Sequence, residues 1–592
     1  MELPMNSTTP ENFVSDSTRS LRRLVYAVLI AIAVGWCLAR IGAVSSVEMV
    51  ALQKERLRKI PEEIAKLQKK LESEQIPVLR DEGTPELAAD GTPVTRPYTD
   101  DEIQEKLTRK TTELTQKYQV LTRPFLSGND RSRWCTVRAL VEPEMRVDGA
   151  PYAIDKVIQQ PGWDTIDMVK HDGHLYSSKP PLFPTMLAGA YWCVYKTTGW
   201  TLATHPFAVG RSLLVLFNLV PFVLYFLVMI AILERLAKSD FAKVFTVAVM
   251  VMGTLLSTFI VVINNHLPAA VCVAVTLYAL IRIRLDGDAR YRWYALAGLA
   301  ATLVASFELP GTALLAGTIL LLLIGSPKKT ICAALPAILL VTIPYFATNL
   351  IAHDSLRLPY MHRSQTDASD NWYSYSYERN GRTLESYWDH PQGKDQGEPD
   401  RATYAFHCLV GHHGVFSLTP VWILSAVGLL IWLIRGGDGK RVEYVECGKY
   451  RSEMNCGEGD VAEKDSENGG REKDVSEKEG NAGQLRLLSL AIGALTLIVL
   501  GFYLGNRPEI DRNYGGMTCG LRWTFWLIPL WLVGMVPTLD GISGRGRWAN
   551  RARWAAIVGL IVSVFSVVWP YNPWTDPWLE EFMVAWPSLW GG

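Results

Sequence analysis

The sequence predicts an all-α integral membrane protein. It would be a polytopic helical bundle of about 11 spans, with outer juxtamembrane helices and an inserted outer helical hairpin. Three observations predict it. Apolar residues gather in runs of about 18 to 25, the length that crosses the hydrocarbon as a helix. Lys and Arg fill alternate connections between those runs, as expected for cytoplasmic loops. One long connection repeats apolar residues at three-four spacing, the period of a helix with one greasy face.

The elements follow in order. Residues 1–22 form a cytoplasmic N-terminus, because Arg19, Arg22 and Arg23 precede the first apolar run. That run, 24–42, lies in a first transmembrane helix, 23–44. No small-residue cleavage pattern follows it, so it reads as a retained anchor. Residues 45–125 form an outer coiled-coil hairpin. Its first arm, 46–75, places Val47, Val50, Leu57, Ile60, Ile64, Leu67 and Leu71 on one stripe. A loop rich in Pro, Gly, Asp and Thr follows at 76–98. The second arm, 99–122, carries Ile103, Leu107, Leu114, Tyr118 and Leu121, and Thr99 with Glu102 forms a capping box at its start. The hairpin returns the chain to the outer end of the first helix. It reads as a spacer, with a protein partner docked on it as the alternative.

Residues 126–206 form an outer loop with juxtamembrane helices, and 207–352 the transmembrane core. The core runs are 207–233, 241–263, 267–283, 293–307, 312–325 and 331–351. Residues 353–415 are an outer loop, and 416–435 a further span around the run 416–434. Residues 436–484 are dense in Gly, Lys, Glu and Asp and are expected to be a disordered cytoplasmic loop. The C-terminal helices occupy 485–572, with runs at 485–502, 521–536 and 554–569. Residues 573–592 are an outer tail.

Orientation turns on 184–199, which is apolar but short. If it lies on the outer face, the inside loops carry Arg235, Lys238, Lys243, Arg282, Arg284, Arg290, Arg292, Lys328, Lys329 and Arg545–Arg553. The facing turns around Asn264–His266 and Glu308–Gly311 then carry no Lys or Arg. This asymmetry selects the non-spanning reading. It places Asp130, Lys179, His266, Glu308 and residues 505–520 on one side.

Composition excludes other classes. Formal net charge is zero and no basic stripe exists, so nucleic acid is not a partner. Nine cysteines are scattered without a C-x-x-C pair, and no disulfide framework is implied. The bilayer itself is the implied partner.

Two outer motifs carry chemistry. In Asp130-Arg-Ser-Arg-Trp134, Asp130 can serve as a base. Arg133, one helical turn on, and Arg138 can hold phosphate through guanidinium forks. In Tyr176-Ser-Ser-Lys-Pro-Pro-Leu182 the prolines forbid a continuous helix, and Lys179 sits where the chain meets the membrane. An acid beside cations at a membrane face suits group transfer from a membrane-tethered phosphate.

These motifs resemble the membrane glycosyltransferases of family 39, which have the C-type multi-span fold. Members include aminoarabinose transferases and protein O-mannosyltransferases. The aminoarabinose branch carries Asp-Glu-x-Arg-Tyr and then Tyr-x-x-Lys-Pro-Pro in its first outer loop. The resemblance implies a polyprenyl-phosphate-linked sugar donor and a lipid, glycan or protein acceptor. It implies an inverting transfer at the outer face of a bacterial cytoplasmic membrane. It gives Asp130 the role of base, and gives Arg133 and Lys179 the lipid phosphate. Trp134 and Tyr176 fill the family's aromatic positions and are carried as donor-site candidates. Arg131 stands in place of the family's Glu, and the gap between motifs is longer, which leaves Asp148 and Asp155 as rival acids.

Further candidates lie at other outer turns. His266 ends Asn264-Asn-His and can bind phosphate or sugar, or cap a helix. Glu308 is an acid at the membrane edge, a costly position unless paired. Arg522, in Gly520-Leu-Arg-Trp523, can bind an anionic head group or act as an interfacial anchor. His407, His412 and His413 resemble a metal cluster only in part, because no further ligand pattern accompanies them. No metal site is therefore assigned and no cofactor is required, although a divalent cation stays an open alternative. The rival function class is a transporter or flippase for lipid-linked sugars, or an assembly scaffold. The topology predicts that single cysteines placed beside Lys179 and beside His266 react with an impermeant thiol reagent in intact cells. A cysteine between 235 and 243 should be protected in the same assay.

Overall fold

Backbone amides find no water in hydrocarbon, so apolar runs of this length satisfy their hydrogen bonds internally as helices. The computed structural model describes residues 10–44, 47–80, 85–119, 125–364, 366–436, 465–570 and 572–583. It is 69% helical with almost no sheet. Among the described residues, eight helices are long and apolar enough to cross a membrane. They are Ser17–Ala43, Pro206–Leu236, Asp240–Val261, His266–Arg284, Pro327–His353, Ala482–Gly505, Arg522–Ile542 and Arg547–Val568. Three further expected runs are also helical, at Tyr291–Phe307, Gly311–Gly325 and Trp422–Arg435, but are shorter.

Close helix contact is set by small residues. At Gly298 a Cβ would lie 2.8 Å from the Ala334 carbonyl oxygen, so only glycine lets Tyr291–Phe307 rest against the neighbouring Thr330–Ala334 turn.

Ion pairs fix which helix ends share a face. Arg22 grips Glu234 through both its Nε and Nη2, each at 2.8 Å, and Tyr26 adds its hydroxyl at 2.8 Å. Lys243 lies 3.3 Å from the same carboxylate. Asp540 accepts the backbone N–H of Lys238 and of Ser239. Arg235 and Arg282 both meet Asp286. The basic connections expected inside thus gather at one face. The helix His266–Arg284 runs from that face to the other, where the polar site lies.

The segment 184–199 forms part of the 17-residue helix Leu182–Thr198, which packs along Gly128–Val141. Gly199 ends it in the left-handed region at φ 71°, a conformation glycine adopts without a Cβ clash.

The hairpin forms as expected, with arms Val47–Ser73 and Asp100–Gln119. Leu71, Ile103 and Leu107 are buried between the arms, packed with Ile64, Leu67 and Tyr98. The capping box closes: the Thr99 N–H donates to Glu102 Oε2 at 2.9 Å, and the Glu102 N–H reaches Thr99 Oγ1 at 3.4 Å. Leu126 then lines a hollow with Ala43 and Val44, so the chain does return to the first helix.

Three expectations are corrected. The connection 76–98 is not simply a loop, because Gln75–Pro77 pairs antiparallel with Thr95–Pro97; prolines and β-branched residues favour extended backbone there. Two more short ribbons, Met168–His171 with His174–Ser177 and Ser376–Arg379 with Arg382–Glu385, interrupt the outer loops. Residues 465–484, expected to be disordered, belong to the helix Asp465–Gly505; their Glu and Lys are good helix formers. Residues 437–464 of that expected loop lie outside the described residues.

Leu107→Ala should cost the hairpin about 2–3 kcal/mol by opening a cavity between its arms. Hydrogen exchange should then speed up in Ile64–Leu71 and leave the helix His266–Arg284 unchanged.

Candidate functional site

The helix Gly128–Val141 begins at Ser127, whose hydroxyl accepts the Asp130 N–H at 3.1 Å. One turn on, Arg133 projects from the same helix. Its Nη1 donates to Asn129 Oδ1 at 2.7 Å and its Nη2 to Asn265 Oδ1 at 2.8 Å. The Asn265 amide donates to Glu308 Oε1 at 2.7 Å and to the Phe307 carbonyl at 2.8 Å. His266 Nδ1 lies 2.5 Å from the same Glu308 oxygen, and its Nε2 lies 3.2 Å from Arg522 Nη1. The carboxylate can only accept and the guanidinium can only donate. The network therefore assigns a neutral imidazole protonated at Nδ1.

This wall encloses a cavity of about 600 Å³. Arg133, Lys179, His266, Glu308 and Arg522, five of the residues singled out from sequence, line it together. Its cations are Arg133, Lys179, Arg363, Arg507 and Arg522, and its acids Glu308 and Asp511. The remaining surface is largely aromatic and aliphatic, with Phe183, Tyr360, Tyr373, Phe502, Tyr503 and Trp523. Cations therefore outnumber carboxylates on the wall by five to two.

Lys179 is held from behind. Its Nζ donates to Asp167 Oδ1 at 2.8 Å, and Ser178 Oγ donates to the same oxygen at 3.0 Å. Burial pushes the Asp167 carboxyl up, but the Lys179 ammonium, together with Arg133 and the Ser178 hydroxyl, outweighs it and holds the group below the usual range. Burial pushes Lys179 down from the ordinary lysine value, against the pull of Asp167, and brings Arg133 to about 10.

Asp130 lies behind the wall, not on it. Its Oδ1 accepts Trp134 Nε1 at 3.0 Å and the Ile263 N–H at 2.9 Å, which ties the helix to the turn before His266. Its Oδ2 is buried without a hydrogen-bond partner. Burial, only partly opposed by the Ile263 N–H and the nearby arginines, raises its carboxyl to about 7. Its neighbours Asn129 and Arg133 do face the cavity.

Other expected site residues lie elsewhere. Trp134 is fully buried and stacks on Phe125 at 4.3 Å, steadying Asp130. Arg138 pairs with buried Glu142 at 2.6 Å and lies over Trp163. Tyr176 stacks on His171 at 4.3 Å within the ribbon. Asp148 is exposed, and Asp155 accepts the Leu175 N–H at 3.1 Å. Neither rival acid lines the cavity.

No protein-family model, curated protein or solved structure matches the chain.

Sequence reading missed Asp167, Arg363, Arg507 and Asp511. Arg363 meets Asp511 at 2.6 Å across loops far apart in sequence, and Arg507 lies 4.8 Å from the Trp523 ring.

The Asp130 carboxyl is more easily protonated in the fold than in the open chain. Its ionisation therefore weakens the fold. The weakening is absent below about pH 4 and complete above about pH 7, with an upper bound of about 4 kcal/mol. Asp130→Asn should match the parent's melting temperature near about pH 4, exceed it increasingly up to about pH 7, and keep that margin at about pH 8. Parallel melting curves in detergent across that range would check this.

Proposed function

We propose that this protein is a membrane glycosyltransferase of the C-type fold, crossing the bilayer about 11 times and related to family 39. It moves a sugar from a polyprenyl-phosphate donor to an acceptor hydroxyl at the outer face, with inversion. The observation that carries the reading is the one cavity in which Arg133, Lys179, His266, Glu308 and Arg522 meet.

The chemistry supports it in three ways. Charge builds on the departing phosphate as the glycosidic bond breaks, and cations fixed in a low-dielectric site stabilise it without reorganising. Arg133 and Arg522 offer guanidinium forks, and Lys179 offers a point charge already braced by Asp167. The helices His266–Arg284 and Gly311–Gly325 both begin at the cavity, adding partial positive charge from their N-termini.

A tethered donor also needs room for its chain. A second, apolar hollow is lined by Val273, Leu277, Leu314, Leu321, Leu488 and Leu495. It lies along three of the helices whose ends reach the cavity, His266–Arg284, Gly311–Gly325 and Asp465–Gly505. From Val273 to Leu285 it follows the first of these for about 18 Å, more than half of the hydrocarbon thickness. Such a groove favours a lipid-linked donor over a free nucleotide sugar.

For the base, Asp130 keeps one unpartnered oxygen and a carboxyl near neutrality, which suits a group that must accept and release a proton. In this reading the carboxyl reaches the acceptor only if the Asn129–Arg133 stretch of wall moves aside. Glu308 is the second reading, favoured by its place on the wall beside His266.

The test is transfer from a polyprenyl-phosphate sugar by purified protein in liposomes. Asp130→Asn should fold and lose about 10²–10⁴-fold in kcat. Lys179→Ala should lose about 10²-fold or more in kcat/KM. Glu308→Gln should keep substantial turnover. Loss in Glu308→Gln with retention in Asp130→Asn moves the base to Glu308, and full activity in both removes the assignment.

A further inference from the structure

Among the described residues outside the cavity, one group of metal-ligating side chains converges: His412, His413 and Glu580. The histidines lie in the loop after the helix Arg401–Leu409, and Glu580 lies in the segment 572–583. The two Nδ1 atoms are 2.5 Å apart. Glu580 Oε2 lies 3.9 Å from His412 Nδ1 and 3.6 Å from His413 Nδ1. Sequence alone gave the histidines no further ligand, since Glu580 is remote in the chain.

Chemistry favours a cation at the meeting point. Both rings are withdrawn from water, His413 completely, and an imidazole there offers a ring nitrogen to a cation. The His407 ring stacks on His412 at 3.9 Å, and the Tyr514 ring on His413 at 5.0 Å, which fixes both imidazole planes.

Lys394 Nζ lies 2.6 Å from Glu580 and 2.5 Å from Asp576. Two carboxylates against one ammonium leave a net charge of −1 in the cluster. Asp576 can keep the ammonium while Glu580 turns one oxygen to a metal. Ligands about 2.0–2.1 Å from a tetrahedral ion sit about 3.3 Å from each other, so the Nδ1 atoms need separate by less than about 1 Å. Two imidazoles and a carboxylate suit a zinc-class ion, not magnesium or calcium, which prefer oxygen.

We propose that His412, His413 and Glu580 bind one divalent transition-metal ion of the zinc class, and that it fastens segment 572–583 to the loop after the helix Arg401–Leu409. The same segment carries Trp574, whose ring lies 5.1 Å from the Arg522 guanidinium carbon. The ion would therefore brace, from a distance, a wall of the cavity.

The test uses full-length protein bearing no polyhistidine tag, stripped with chelator and then titrated with zinc or cobalt alone. The expected result is one ion per chain, visible d–d absorption with cobalt, and a rise in melting temperature. Glu580→Gln and His413→Ala, each checked for folding by size-exclusion, should weaken binding by more than about tenfold. Exposed His390→Ala should bind as the parent does. Glu580→Gln keeps its volume and needs only to fold for the comparison to stand. Absence of stoichiometric zinc in the parent overturns the proposal. So does unchanged affinity in Glu580→Gln and His413→Ala.

Discussion

A charge taken out of water must find its counter-charge within reach, and that constraint organises this protein's polar face. Arg133, Asn265, Glu308, His266 and Arg522 form one connected chain of hydrogen bonds. The chain joins four segments that the sequence keeps far apart. Each member is satisfied only because the next is in place. Removing one partner from a buried pair typically costs about 3–5 kcal/mol, since the survivor keeps its desolvation penalty. The network is thus both the frame of the cavity and its source of positive potential.

The cavity's position follows from the way helices alternate. It collects the N-terminus of His266–Arg284, the end of Tyr291–Phe307, the start of Gly311–Gly325, the end of Asp465–Gly505 and the start of Arg522–Leu527. Each is a place where apolar sequence gives way and polar groups can surface. Aromatic rings then lie beside the cations, as Phe502, Tyr503 and Trp523 do around Arg507. Rings of this kind exclude water without adding charge, which strengthens every electrostatic contact inside.

Much of this was legible in the sequence. Helix periods and the capping box read correctly because each depends on neighbours a few residues away, and the basic connections do share one face. The gathering of Lys179, His266, Glu308 and Arg522 followed from charge asymmetry, a property of the whole chain. Contacts between distant loops were not legible. Nothing local to Asp167 says that Lys179 will rest on it, or that Arg363 will reach Asp511. Spacing also cannot say which face of a helix is sealed. Trp134 and Arg138 sit at the offsets of a binding motif, yet Phe125 and Glu142 claim them for the interior. Asp130 shares that burial and keeps one oxygen free.

Trp574 couples two parts of the chain in a fixed order. Its ring lies 5.1 Å from the Arg522 guanidinium carbon, and the Cys519 N–H donates to the Pro573 carbonyl at 3.0 Å. Both contacts join the approach to Arg522–Ile542 to residues on the far side of the helix Arg547–Val568. That helix must be in place before the ring can reach the arginine. Arg522 therefore gains its aromatic seat only after the chain has crossed back, later than the helices that frame the rest of the cavity.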